Sequence, residues 1–149
     1  MKKIKLLLIF CLVNFCNLYS EEIIIERIKI SLGEQKLYAY KDDAIFLETK
    51  ISTGKKGRST PKGEYVVTEK DKSHHSNKYG SYSTNKDGKR VFRGASMPFF
   101  MRLTDDGVGM HAGYVPNYPA SHGCIRIPRA MAEKLYKVTP IQTQVTIED

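Results

Sequence analysis

Short apolar runs divided by turn residues dominate the first half of this chain, and they confine it to strands rather than helices. Ile23 to Leu32, Gln35 to Tyr40 and Ala44 to Ile51 are such runs, separated by Gly33-Glu34 and by Lys41-Asp42-Asp43. Leu37 with Ala39 and Ile45 with Leu47 alternate, though imperfectly, so an antiparallel meander is expected. A polar loop through Lys55, Gly57, Arg58 and Pro61 follows Ser52-Thr53-Gly54 and leads into a strand over Glu64 to Glu69.

Lys70 to Arg90 carries Ser, Asn, Gly and Lys with few aliphatics and reads as a long loop. Its tyrosines, Tyr79 and Tyr82, favour a cap facing substrate, and His74 and His75 read as solvated or rim residues. Phe99 to Leu103 and Val108 to His111 are two further expected strands around the turn Thr104 to Gly107. Pro128 fits the first turn of a helix, with Met131, Leu135 and Val138 as its apolar face. Gln142 to Ile147 reads as a closing strand. The expected class is mainly β, with mixed or antiparallel strands and one principal helix after Cys124.

The first twenty residues read as a secretory signal. Lys2, Lys3 and Lys5 precede an apolar stretch, Leu6 to Cys16, that is too short to span a bilayer well, and a cut is expected after Ser20. An uncleaved anchor is the alternative. Cleavage leaves residues 21–149 as one catalytic domain with no membrane span, in the periplasm, the cell envelope or the medium. Of the three cysteines, Cys11 and Cys16 leave with the signal, so Cys124 remains as a lone thiol in an oxidising compartment. The formal charge of +8 falls to +5 with the three signal lysines. That balance suits an anionic partner or ordinary solubility, because the lysines are scattered. No nucleic-acid partner is expected, and the protein is expected to be a monomer.

Ser121-His122-Gly123-Cys124-Ile125-Arg126 surrounds this thiol with the groups that make a sulfur nucleophilic. A thiol needs a base or an electropositive setting. His122 and Arg126 flank it, and His111 lies upstream across a loop marked by Gly113, Pro116 and Pro119. Gly123 lets the backbone approach a substrate and turn amides toward a developing oxyanion. Ser121 is a weaker nucleophile at neutral pH. The residues leave two other readings open: a buried core thiol, and a zinc site built from Cys124, His122 and His111.

The segments Gly109-Met110-His111-Ala112-Gly113, Pro119-Ala120 and Ser121 to Arg126, with the helix behind them, resemble the L,D-transpeptidases of the YkuD type. Ser52-Thr53-Gly54, Thr60-Pro61-Lys62-Gly63 and Met97-Pro98-Phe99 are similar to further segments of that family. The resemblance implies a β-sandwich with the cysteine in a cleft under a mobile loop. It also implies acyl transfer on peptidoglycan stem peptides without a cofactor or a metal. Cys124 would attack the carbonyl at the L-centre of the third stem residue, expel the terminal D-residue and pass the thioester to an amine. On this resemblance His111 takes the thiol proton and the Ala112 carbonyl orients its imidazole. His122 and Gly123 serve the oxyanion, and Ser121, Arg126 and Tyr114 are candidates for substrate contact. Hydrolysis of the same bond and a non-catalytic wall-binding domain are the alternatives.

Overall fold

A computed structural model describes residues 22–116 and 118–149; the expected signal segment lies outside them. Three strands open the fold: β1 (Arg27–Ser31), β2 (Lys36–Lys41) and β3 (Ala44–Lys50), paired antiparallel as the meander predicts. Alternation decides which side they bury. Ile28 and Ile30 of β1 stand opposite Ala39 and Leu37 of β2, all at most 1% exposed.

The rest of this sheet comes from far along the chain. β11 (Gln144–Glu148) pairs parallel with β1, setting Val145 against Ile28 and Ile147 against Ile30. β4 (Gly63–Val66) then pairs antiparallel with β11, so the strand order is β3-β2-β1-β11-β4.

The expected strand Glu64 to Glu69 is two strands in two sheets. β4 belongs to the first and β5 (Glu69–Asp71) to the second, and the chain crosses between them at Val67-Thr68. The crossing is pinned at both residues. The Val67 amide donates to the Thr143 carbonyl (3.0 Å) and the Thr68 amide to the Arg102 carbonyl (3.0 Å).

The second sheet runs β10-β9-β8-β5, with β8 (Phe100–Arg102), β9 (Gly109–Ala112) and β10 (Ile125–Ile127). β9 and β10 are parallel. Met101, Met110, Ala112, Ile125 and Ile127 join the first sheet's apolar face in one core, a β-sandwich. The helix α1 (Arg129–Val138) follows Pro128. Of the expected stripe, Leu135 is buried and Val138 packs against the core, but Met131 stays 38% exposed and Ala132 takes its place. Lys70 Nζ donates to the carbonyls of Tyr136 (2.7 Å) and Thr139 (2.6 Å) and so closes the helix C-terminus.

The stretch read as a long loop is instead a hairpin of β6 (His75–Thr84) and β7 (Arg90–Ser96), with a register shift between His75 and Gly80. It forms a separate two-stranded sheet. Gly80 and Gly94 make this close pairing possible, since a Cβ on either would lie within about 2.1 Å of a facing carbonyl oxygen. Among the described residues no helix is long and apolar enough to cross a membrane.

Candidate active site

Strand alternation assembles the site. Ile125 and Ile127 face the core, so Cys124 and Arg126 take the opposite face of the second sheet. On the adjacent strand, Met110 and Ala112 face the core and His111, registered against Arg126, points the same way as the thiol. Residues distant in sequence thus meet on one sheet surface beneath the β6-β7 hairpin.

His111 is only 7% exposed, and its Nδ1 lies 2.9 Å from the Ala112 carbonyl oxygen. A carbonyl only accepts, so Nδ1 carries the proton and Nε2 keeps its lone pair. Burial holds the imidazole below its ordinary value; Arg126 and His74 push the same way and the Ala112 carbonyl opposes them. The Cys124 thiol is pushed up by burial, against the Gly109 amide and Arg126, which favour the thiolate. Its S–H donates to the Gly107 carbonyl at 3.6 Å. Both shifts run toward the uncharged forms, the thiol of Cys124 and the imidazole of His111.

The turn that carries Cys124 is braced from inside and from below. Gly123 has φ +122°, which favours glycine. The Ser121 hydroxyl, on a residue 2% exposed, accepts from the Gly123 amide (3.0 Å) and donates to the Cys124 carbonyl (2.5 Å). The hydroxyl both accepts and donates within the turn, so it shapes the backbone around Cys124. The Gly123 amide, expected to serve an oxyanion, is occupied by that hydroxyl.

Below the turn lies the polar segment 52–60. The buried Thr60 hydroxyl donates to the Gly123 carbonyl (2.7 Å) and accepts from the Gly54 amide (2.9 Å). The Thr53 carbonyl accepts from the amides of Ala120 and Ser121, both at 3.0 Å, and Ser52 and Arg126 exchange backbone bonds. A Cβ on Gly54 would sit 2.0 Å from the Arg58 carbonyl oxygen. The sequence marked Ser52 to Gly54 and Thr60 to Gly63 only as recurring segments. Their role as a cradle depends on hydrogen bonds between distant residues, which no local pattern carries.

His122 is exposed, and its ring is held by the hairpin. Its ring stacks on Tyr79 of the hairpin, centroids 4.6 Å apart and planes 20° apart. Arg58 donates to the Tyr79 hydroxyl at 2.7 Å. Partial loss of solvent, then the charges of Lys55, Arg58 and Arg126, lower the His122 imidazole. His74 stacks on Phe100 and bonds Asp71 (3.1 Å), while His75 is exposed. Among the described residues no three His, Cys, Asp or Glu side chains gather as metal ligands, and Cys124, His122 and His111 form no such cluster.

Two cavities, about 280 and 370 Å³, open beside Cys124. Ser76, Tyr79, Met97, His122 and Cys124 line both and form the wall between them. The larger contains His111, Arg126 and the 78% exposed Tyr114; the smaller contains Lys78, Arg102, Asp106 and Gly107. Of the two tyrosines expected in a cap facing substrate, Tyr79 lines both cavities, whereas Tyr82 is 60% exposed and lines neither.

Residues 25–147 match the model of the YkuD family, described as an L,D-transpeptidase catalytic domain. No curated protein matches the sequence. Similar solved structures include a cysteine-to-serine mutant of Enterococcus faecium L,D-transpeptidase, 26% identical, covering 84% of this chain and 50% of that one, with a TM-score of 0.65. A Stackebrandtia nassauensis L,D-transpeptidase is 22% identical over 81% of this chain and 54% of that one (TM-score 0.67). L,D-transpeptidase 3 from Mycobacterium tuberculosis, in complex with a faropenem-derived adduct, is 21% identical over 82% and 59% (TM-score 0.62). The chain therefore spans between half and three fifths of the length of these three structures.

Proposed function

This chain belongs to the YkuD family of L,D-transpeptidase catalytic domains, and from that premise we propose that it transfers acyl groups between peptidoglycan stem peptides through a thioester on Cys124. The observation that carries the reading is the oriented pair: a half-buried thiol and, on the neighbouring strand, a neutral imidazole whose Nδ1 proton is fixed by the Ala112 carbonyl. The arrangement is a nucleophile, a base and an orienter in which the orienter is a main-chain oxygen.

His111 Nε2 takes the thiol proton as Cys124 Sγ attacks the carbonyl of the third stem residue. The new C–S bond places negative charge on the former carbonyl oxygen. The amides of His122 and Cys124 are the candidates to receive it, since the Gly123 amide is held by Ser121. Collapse expels the amine of the terminal D-residue, which leaves with the proton from His111. An amine of a second stem then attacks the thioester, gives its surplus proton to His111 and frees the thiol. The Arg126 guanidinium in the larger cavity suits a substrate carboxylate, and Tyr114 lies at its mouth. Two cavities meeting at one sulfur fit a reaction with two substrates. No cofactor enters any step.

Such chemistry belongs at the cell wall, and a leader over residues 1–20 followed by a monomeric domain over 21–149 is part of the same proposal. Purified protein and its Cys124→Ala variant, given disaccharide-tetrapeptides and followed by mass spectrometry, test the reading. The wild type is expected to form crosslinked products through a thioester adduct that the variant lacks. Equal product from both would overturn it. Faropenem is expected to add covalently to Cys124 and to no other residue.

A further inference from the structure

The Cys124 sulfur has its base on one side and its resting acceptor on the other. His111 lines the larger cavity, whereas Gly107, whose carbonyl takes the S–H, lines the smaller. A thiol donating to Gly107 has its proton directed away from the imidazole. That proton has to leave Gly107 before Nε2 can take it.

The turn bearing Gly107 is tied to the hairpin through one side chain. Lys78 Nζ donates to the Asp106 carbonyl at 2.6 Å, one peptide away from the Gly107 carbonyl. Lys78 is not a free surface lysine at this point, because its backbone is fixed by the irregularity between His75 and Gly80. The Ser76 hydroxyl accepts from the amides of Lys78 (3.2 Å) and Tyr79 (2.9 Å). Two successive side chains therefore leave the hairpin toward the site: Lys78 to the Asp106 carbonyl and Tyr79 onto the His122 ring.

We propose that Lys78 is a positioning residue for Cys124. By holding the Asp106 carbonyl it presents the adjoining Gly107 carbonyl to the thiol, so the closed hairpin keeps Sγ protonated and turned from His111. Displacement of the hairpin by substrate releases the thiol, and its proton then passes to Nε2. The proposal rests on Cys124 being the nucleophile. It also gives a lone exported thiol a low reactivity toward oxidants until substrate arrives, since oxidation proceeds from the thiolate.

The charged groups facing the sulfur are Arg126 from β10, Arg102 from β8 and Asp106 from the turn, with the imidazole of His111 from β9. A Lys78→Met change leaves all of them in place and removes only the Lys78 cation, which lines the smaller cavity with Cys124 and whose loss by itself would raise the thiol midpoint, so a fall reports the released Gly107 carbonyl. The test is the pH dependence of Cys124 alkylation by iodoacetamide without substrate, read on the Cys124 peptide by mass spectrometry. Wild type, Lys78→Met, Lys78→Arg and, as a control elsewhere on the hairpin, Lys89→Met are compared. In Lys78→Met the alkylation midpoint is expected to fall by about half a unit, with about threefold faster reaction below it, near the lower value of one hydrogen bond. Lys78→Arg and Lys89→Met are expected to follow the wild type. An unmoved midpoint overturns the proposal, and so does acceleration by the same factor at every pH, the sign of mere access. Turnover by the Cys124→Ala variant judges the nucleophile separately, so the two failures are distinguishable.

Discussion

Replacing Ser121 by Ala separates the substrate contact expected from the resemblance from the bracing of the Cys124 turn that the hydrogen bonds give it. The hydroxyl is buried and makes two hydrogen bonds, one from the Gly123 amide and one to the Cys124 carbonyl. Each is worth about 1 kcal/mol net, and a buried donor left without a partner costs about 1 to 3 kcal/mol. Gly123 is itself buried, so its amide gains no water in exchange. Losing the bond to the Cys124 carbonyl (about 1 kcal/mol) and stranding the Gly123 amide (about 1 to 3 kcal/mol) gives a loss of about 2 to 4 kcal/mol, a large part of the stability typical of a domain this size. Urea unfolding followed by circular dichroism reads this as a lower midpoint at constant slope. Because the freed groups flank Cys124, kcat is expected to fall as well, while KM moves little. A variant with wild-type unfolding and a raised KM would refute the reasoning and make Ser121 a substrate ligand instead.

The acid limb of kcat/KM tests the shift of His111 toward its uncharged form. Burial lowers the His111 imidazole, so the limb is expected below about 6.5, the ordinary histidine value. The sign for stability runs the same way: below that value the unfolded imidazole binds a proton that the folded one refuses. Stability contributed by this group is present above the unfolded value and is lost as pH falls toward the folded one, measurable as a declining urea midpoint. Gly54→Ala places a methyl 2.0 Å from the Arg58 carbonyl oxygen. It is expected to cost more than about 2 kcal/mol in urea unfolding and to reduce turnover by shifting the cradle under Gly123. Lys70→Met removes two bonds to helix-terminal carbonyls. A loss of about 2 kcal/mol with near wild-type kcat is expected, and a fall in kcat larger than tenfold would give Lys70 a role beyond the helix end.

The parts of the fold that the sequence made legible are those with local signals. The meander over β1 to β3 has alternating apolar residues and turn residues between the strands, and Pro128 marks the helix start. The hairpin β6-β7 was not legible. Its strands bury almost nothing, Ser76 apart, so His75 to Thr84 shows no apolar face and its glycines and serines resemble a loop. β10 is three residues that begin within the Ser121 to Arg126 motif, too short to carry a period of its own. The parallel pairings of β1 with β11 and of β9 with β10 join segments whose register no local pattern encodes. At the site, the motif pointed to Cys124 and His111 and resemblance supplied Ala112. The brace from Thr60 and the stack of Tyr79 on His122 depend on partners more than forty residues away.

The parallel contact of β1 with β11 governs how the molecule is made. Arg27 pairs with Gln144 and Ser31 with Glu148, nearly the two limits of the described chain, and β11 sits inside its sheet with β4 beyond it. An interior strand from the far end means that the first three strands present a raw edge at β1 until Val145 and Ile147 arrive. Contacts spanning such distances close slowly, because the loop entropy comes due before the packing gain. The first sheet therefore gains its interior strand only once the β11 segment docks between β1 and β4.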